Sequence, residues 1–142
     1  MIKVITHDNE RISKWASKHL EGITWSSPQC FGFELNDKLI GAVIFSEWTK
    51  NDIHVSVVST NARMWQKRIL RILFHYTWVT CGCIRMSALA KESNKKSRRL
   101  LEALGFKEEG RLRNYHGSED GVVYGILKED SEKWYQTKER EA

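Results

Sequence analysis

The chain has 142 residues, with 23 Lys and Arg against 18 Asp and Glu for a net charge of +5, and a single proline. At 41% hydrophobic and 11% aromatic, with six tryptophans, it carries enough apolar material for one packed core, which excludes a disordered tail or a fibrous repeat. Its longest apolar run, Leu39 to Phe45, is about seven residues against the roughly 20 of a membrane span, so no membrane partner is expected.

The N-terminus alternates over Ile2 to Thr6 as a short strand. It lacks the apolar stretch of a secretory signal, which makes the cytoplasm the expected compartment. Asn9 to Leu20 follows helical periodicity, with Ile12, Trp15, Ala16 and His19 or Leu20 on one side, Asp8 as N-cap and Gly22 past the end. Alternation resumes at Cys30 to Leu35, Leu39 to Glu47 and Ile53 to Ser59, and Asn36-Asp37-Lys38 joins the first two as a hairpin turn.

A second helix is predicted from about Met64 to Trp78. Trp65, Ile69, Ile72, Leu73 and Tyr76 share one of its faces, while Lys67, Arg68, Arg71 and His75 share another. A strand over Cys83 to Ala90 leads to a third helix, which runs from an N-cap at Ser93 through Ser97, Leu100, Leu101 and Leu104 to Gly105 at its C′ position. Strands at Glu109 to Arg113 and Val122 to Leu127 follow, and Glu129 to Ala142 reads as a charged, helical or frayed end. This order predicts a single α/β domain over residues 1–142 with a mixed sheet flanked by helices. Cys30, Cys81 and Cys83 are odd in number and Cys-Gly-Cys lacks zinc-ligand spacing, so they read as reduced thiols and no metal is expected.

The charge is unevenly spread. Between Asn61 and Arg99, ten Lys and Arg stand against one acid, Glu92, a net +9 that leaves −4 for the rest. Taken alone, the cations from Arg63 to Arg71 read as a solvated helix face.

The run from Asn94 to Arg113, with Asn94, Ser97, Leu104-Gly105-Phe106, Glu109-Gly110 and Arg113, resembles the N-x-x-S…LGF-x-x-EG-x-x-R signature of Gcn5-related N-acetyltransferases. The likeness is greatest to the branch that acetylates ribosomal-protein N-termini, which the acidic Asp120 before the apolar run Val122 to Leu127 also fits. Short phage-encoded members share the pattern of Trp65, Arg68 and Tyr76. The resemblance implies a mostly antiparallel central sheet, acetyl-CoA as acyl donor, and a protein or small-molecule amine as acceptor. It also implies direct attack of the amine on the thioester, by a monomer or a homodimer.

Coenzyme A presents a pyrophosphate and a further phosphate, which call for helix N-terminal N–H groups and nearby cations. The loop from Asn61 into Arg63, Met64, Trp65, Gln66, Lys67 and Arg68 is the candidate cradle. It departs from the family's glycine-rich pattern, because Gln66 and Arg68 occupy the glycine positions. By that resemblance Asn94 corresponds to the residue that hydrogen-bonds the pantetheine or nearby backbone, and Ser97 to the serine that can protonate the departing thiolate. A backbone N–H near Val57 or Val58 would polarise the acyl carbonyl. The base that deprotonates the acceptor has three candidates, His116, His54 and Glu47. Trp25 and Trp48 fall near connections that could wall an acceptor pocket. A nucleic-acid-binding or nucleic-acid-modifying protein that uses the basic 61–99 segment is the alternative, with no recognisable nucleic-acid motif behind it.

Overall fold

The computed structural model describes residues 1–135. Of the tail predicted from Glu129, residues 136–142 lie outside the described part. The elements run β1 (Lys3–Ile5), α1 (Asn9–His19), β2 (Gln29–Leu35), β3 (Lys38–Ser46), β4 (Asp52–Ser59), α2 (Lys67–His75), β5 (Arg85–Lys91), α3 (Lys95–Leu104), β6 (Lys107–Leu112), β7 (Gly121–Leu127) and α4 (Glu132–Tyr135). Seven strands form one sheet in the order β1-β2-β3-β4-β5-β7-β6. All neighbours are antiparallel except β4 and β5. The β2–β3 turn places Asn36 and Asp37 at φ 53° and 66°, the double left-handed turn that suits a right-twisted hairpin and that Asn and Asp tolerate.

Strand alternation sends the sheet's side chains to two faces. On one face, Phe31, Val43, Phe45, Ile53, Val55, Met86, Ala88, Tyr124 and Ile126 form a core with Ile69, Leu70, Leu73 and Phe74 of α2 and Leu101 and Leu104 of α3. Each buried side chain of Leu or Phe size there stabilises by about 1.5–3 kcal/mol. Phe31, Phe45 and Tyr76 pack as an aromatic trio, with ring centroids 4.7 to 5.7 Å apart. On the other face, α1 lays Ile12 and Ala16 on Cys30, Ala42, Ile44 and Val58. Asn9 Oδ1 accepts from the Cys30 N–H at 2.9 Å and ties the helix to β2.

Two predicted boundaries are corrected. The second helix does not begin at Met64: Ala62–Met64 forms a separate 3-10 turn whose Arg63 N–H donates to Asn61 Oδ1, and α2 starts only after Gln66. Its last turn widens into a π turn, Tyr76–Thr80, where the Thr77 hydroxyl donates to the Leu73 carbonyl at 3.0 Å. The N-cap of α3 is Asn94 rather than Ser93: Asn94 Oδ1 accepts from the Ser97 N–H at 3.1 Å, while the Ser93 N–H is taken by Glu119. Gly105 ends that helix at φ 113°, as the sequence predicts. No helix among the described residues is long and apolar enough to cross a membrane.

Candidate active site

The sheet stops pairing part-way along its parallel neighbours. β4 has eight residues and β5 seven, yet only Asp52, Ile53 and His54 align with Arg85, Met86 and Ser87. From Val55 onward the β4 main chain has no strand partner on that side, and buried N–H and C=O groups left in that state call for a polar guest. A cleft of about 430 Å³ opens at this parting and passes through the sheet.

On the α2 face the cleft is lined by Val55, Val57, Ala88 and Ala90, and by Asn94, Ser97, Leu100 and Leu101 of α3. On the α1 face it is lined by Ser46, Glu47, His54, Ser56 and Leu89, by Ile23 and Trp25 of the α1–β2 loop, and by Tyr115 and His116 of the β6–β7 loop. Lys91 reaches across the mouth to Glu21, with Nζ to Oε distances of 2.9 and 3.1 Å. A larger hollow of about 740 Å³ lies between α1 and the β2–β3 turn, but Asp8, Glu10, Arg11, Lys14, Lys18, Asp37 and Lys38 make its wall a solvated ionic surface remote from these groups.

Three polar side chains in the cleft have an atom without a protein partner among the described residues. His54 Nδ1 and His116 Nε2 are buried and unbonded. The Ser97 hydroxyl likewise makes no bond; it does not turn back to the carbonyl four residues earlier, the usual fate of a helical serine. Burial holds the His54 imidazole below the ordinary histidine value, against the opposing pull of Glu47 and Asp52, so it is a neutral acceptor at pH 7. Glu119 is held below the usual carboxylate range, chiefly by hydrogen bonds from Ser93, first its hydroxyl and then its N–H.

The cleft thus brings together His54, Glu47, His116, Ser97, Asn94 and Val57 from separate parts of the sequence. Val58 is not among its lining residues; its side chain packs in the α1 core. The expected phosphate loop lies apart, at the start of α2. Met64 is a correction there: it is fully buried beside Gly41, and its N–H is taken by the Asn61 carbonyl at 3.1 Å. Trp65 is half-buried against the core. Arg68 sends its guanidinium to the Ile2 carbonyl at 2.9 Å. Arg63, Gln66 and Lys67 are exposed.

The first turn of α2 carries no acid, and its leading N–H groups, those of Lys67 and Arg68, have no intrahelical acceptor. An anionic cofactor fits that end through main-chain N–H groups and the Lys67 cation, without glycines. Of the ten cations between Asn61 and Arg99, Arg85, Lys91 and Arg98 are in ion pairs. Arg63, Lys67, Arg68, Arg71, Lys95, Lys96 and Arg99 have no carboxylate partner among the described residues. Sequence reasoning missed Glu21, Ile23, Lys91 and Tyr115. Only the aromatic neighbour of His116 in a short loop could have hinted at the last.

No family model matches the chain, and no curated protein matches it in sequence. Its similarities are to solved structures. A chimera of the spermidine N-acetyltransferase SpeG from Vibrio cholerae and hSSAT superposes with a TM-score of 0.71 at 15% identity, over 94% of this chain and 98% of that one. The ribosomal-protein-S5-alanine acetyltransferase from Vibrio fischeri gives 0.63 at 22%, over 86% and 71%. The chain has the Gcn5-related N-acetyltransferase fold. The ribosomal-protein-S18-alanine N-acetyltransferase from Escherichia coli agrees, with a TM-score of 0.65 at 17% identity over 89% of this chain and 94% of that one. In this acetyltransferase fold the parting of β4 and β5 is the feature around which the candidate site is built.

Proposed function

We propose that the chain is an acetyltransferase that carries an acetyl group from acetyl-CoA to a primary amine, with a protein N-terminus or a lysine as the favoured acceptor. The observation that carries this reading is the cleft through the sheet, with two buried, unbonded imidazole nitrogens on its α1 face and the Ser97 side chain lining its α2 face. Acetyl-CoA supplies an acyl thioester, which a neutral amine attacks without a covalent enzyme intermediate. The α2 first turn, Lys67 and Asn94 would hold the donor, and Ser97 keeps a hydroxyl proton available to a leaving thiol. His54, neutral because it is buried, takes a proton from the acceptor ammonium, and His116 is the second group able to do so. Main-chain N–H groups of β4 near Val57 are the donors for a developing oxyanion.

Thermal stabilisation by acetyl-CoA is the first test, and release of free thiol on adding an amine is the second. Lys67→Glu is expected to weaken the acetyl-CoA shift at least tenfold in apparent Kd. No shift at millimolar acetyl-CoA would overturn the reading.

The seven unpaired cations of the 61–99 segment favour one second reading, in which a nucleic acid lies along the α2 and α3 starts. It predicts binding that weakens steeply with salt and is lost in Lys95→Glu/Lys96→Glu. Salt-independent or absent binding discards it.

A further inference from the structure

At the α1-face mouth of the cleft, apolar side chains stand exposed beside the polar His19, Glu21, Thr24, Ser26 and Glu47. Ile23 and Tyr115 line it at 46% and 58% exposure, Trp25 stands beside them, and Trp48, 62% exposed, follows Glu47 at the end of β3. The Trp25 indole N–H donates to Ser56 Oγ at 3.3 Å and fixes the ring's edge to β4. Tyr115 packs beside Gly121 and Leu89, so a side chain on Gly121 would press on its ring.

Charge at this mouth is sparse. Its acids are Glu21 and Glu47 and its lysine is Lys91. Glu21 is bound to Lys91, which leaves Glu47 as the lining carboxylate outside any ion pair among the described residues. The rim therefore offers one anion and several apolar surfaces.

We propose that the acceptor is a primary mono-amine flanked by a bulky apolar group. Glu47 meets its ammonium, and Trp25, Ile23 and Tyr115 cover its flank. The proposal rests on the acetyl-transfer reading above. Covering a flank of Leu or Phe size removes a large apolar surface from water. A second cation over an exposed ring gains less, and the other acid of the rim, Glu21, is already neutralised by Lys91. A polyamine would have to set its additional ammonium groups against that rim, and an amine with a methyl flank would leave the rim uncovered.

Two sources share this chemistry, a peptide α-amine whose first side chain is large and apolar, and a free arylalkylamine. The probes are a hexapeptide beginning with Phe and phenethylamine, compared with the same peptide beginning with Ala and with spermidine. Free thiol released from acetyl-CoA is followed. The expected result is a kcat/KM at least tenfold higher for the Phe-first peptide or for phenethylamine than for either comparator, and whichever of the two leads identifies the source. Tyr115→Ala and Trp25→Ala are expected to erase most of that preference through KM, Tyr115→Phe to restore it, and Glu47→Gln to raise KM for the preferred amine. Retained stabilisation by acetyl-CoA certifies that each variant is folded.

Faster turnover of spermidine or of the Ala-first peptide overturns this inference and leaves acetyl transfer standing. So does acetyl-CoA binding without turnover of any of the four amines. Absence of any acetyl-CoA shift overturns the acetyl-transfer reading, and this inference with it.

Discussion

The Arg85 guanidinium faces Asp52 across the parallel strands, Nε donating to Oδ1 at 3.2 Å. The Ser87 hydroxyl donates to the same oxygen at 2.7 Å, and the far side of the guanidinium holds Glu109 at 2.8 Å. Asp52 lies two residues before His54 on the same strand face, so this cluster adds to the pull of Glu47 on the His54 imidazole.

That arrangement predicts a pH effect. Burial lowers the His54 value and Glu47 and Asp52 partly offset it, so kcat/KM falls on the acid side at a pH below the ordinary histidine value of 6.5. Arg85→Met removes the neutralising partner, strengthens the pull of Asp52, and is expected to move the acid limb to higher pH. His54→Gln is expected to remove the limb. A pH profile that is unmoved in both variants rules out His54 as the base.

The same imidazole ties stability to pH. Because the folded state binds the proton less readily than the unfolded chain, stability contributed by neutral His54 is present above 6.5 and is lost as pH falls through the lowered value. Urea midpoints between pH 7 and 5 are expected to fall more steeply for the native sequence than for His54→Gln. Equal slopes contradict this.

Thiol reactivity is expected to divide the three cysteines. Cys30 is fully buried and desolvation pushes its thiol up to about 11, and Cys83 is buried with its thiol also raised. Only Cys81 is partly exposed. Mass spectrometry after brief alkylation is expected to find a single label on Cys81 in the folded protein and three labels in urea. Rapid native labelling of Cys30 would mean that the β2–β3 core is more open than described.

Two substitutions probe the segment before α4, one where it meets the end of α3 and one where it meets the π turn after α2. Gly105→Ala puts a Cβ at φ 113°, 3.2 Å from both the Asp130 carbonyl oxygen and Ile126 Cδ1, and is expected to cost about 1 kcal/mol or more. Ser131→Ala strips the buried Trp78 indole N–H of its 2.8 Å acceptor and is expected to cost about 1–3 kcal/mol. Denaturant unfolding measures both, and a neutral Ser131→Ala would show that another acceptor reaches the indole.

The seven strands were legible from alternating or β-branched runs, and the end of α3 because Gly105 is a local signal. The errors arise where distant residues decide. Ser93 and Asn94 are both good caps, and it is Glu119, 26 residues further on, that takes the Ser93 N–H and leaves the capping role to Asn94. Met64 fits the apolar face of a longer helix, but Asn61 turns the chain and drops it against Gly41 instead. In the site, Asn94, Ser97 and the histidines could be found from residue type and the family signature. Glu47 and Trp25 could be named as candidates, but the rest of the mouth could not, since Glu21, Ile23, Lys91 and Tyr115 meet from separate elements that share no sequence pattern.

The short register between β4 and β5 also divides the molecule. On one side lie β1 to β4 with α1, and on the other β5 to β7 with α3, like two leaves sharing a binding three residue pairs long. The α2 crossover spans the joint on one face, and the Lys91–Glu21 ion pair clasps it on the other. The two leaves are therefore tied by few bonds beyond that register, among them the Arg85 and Ser87 contacts to Asp52 at its root and one surface ion pair at its mouth.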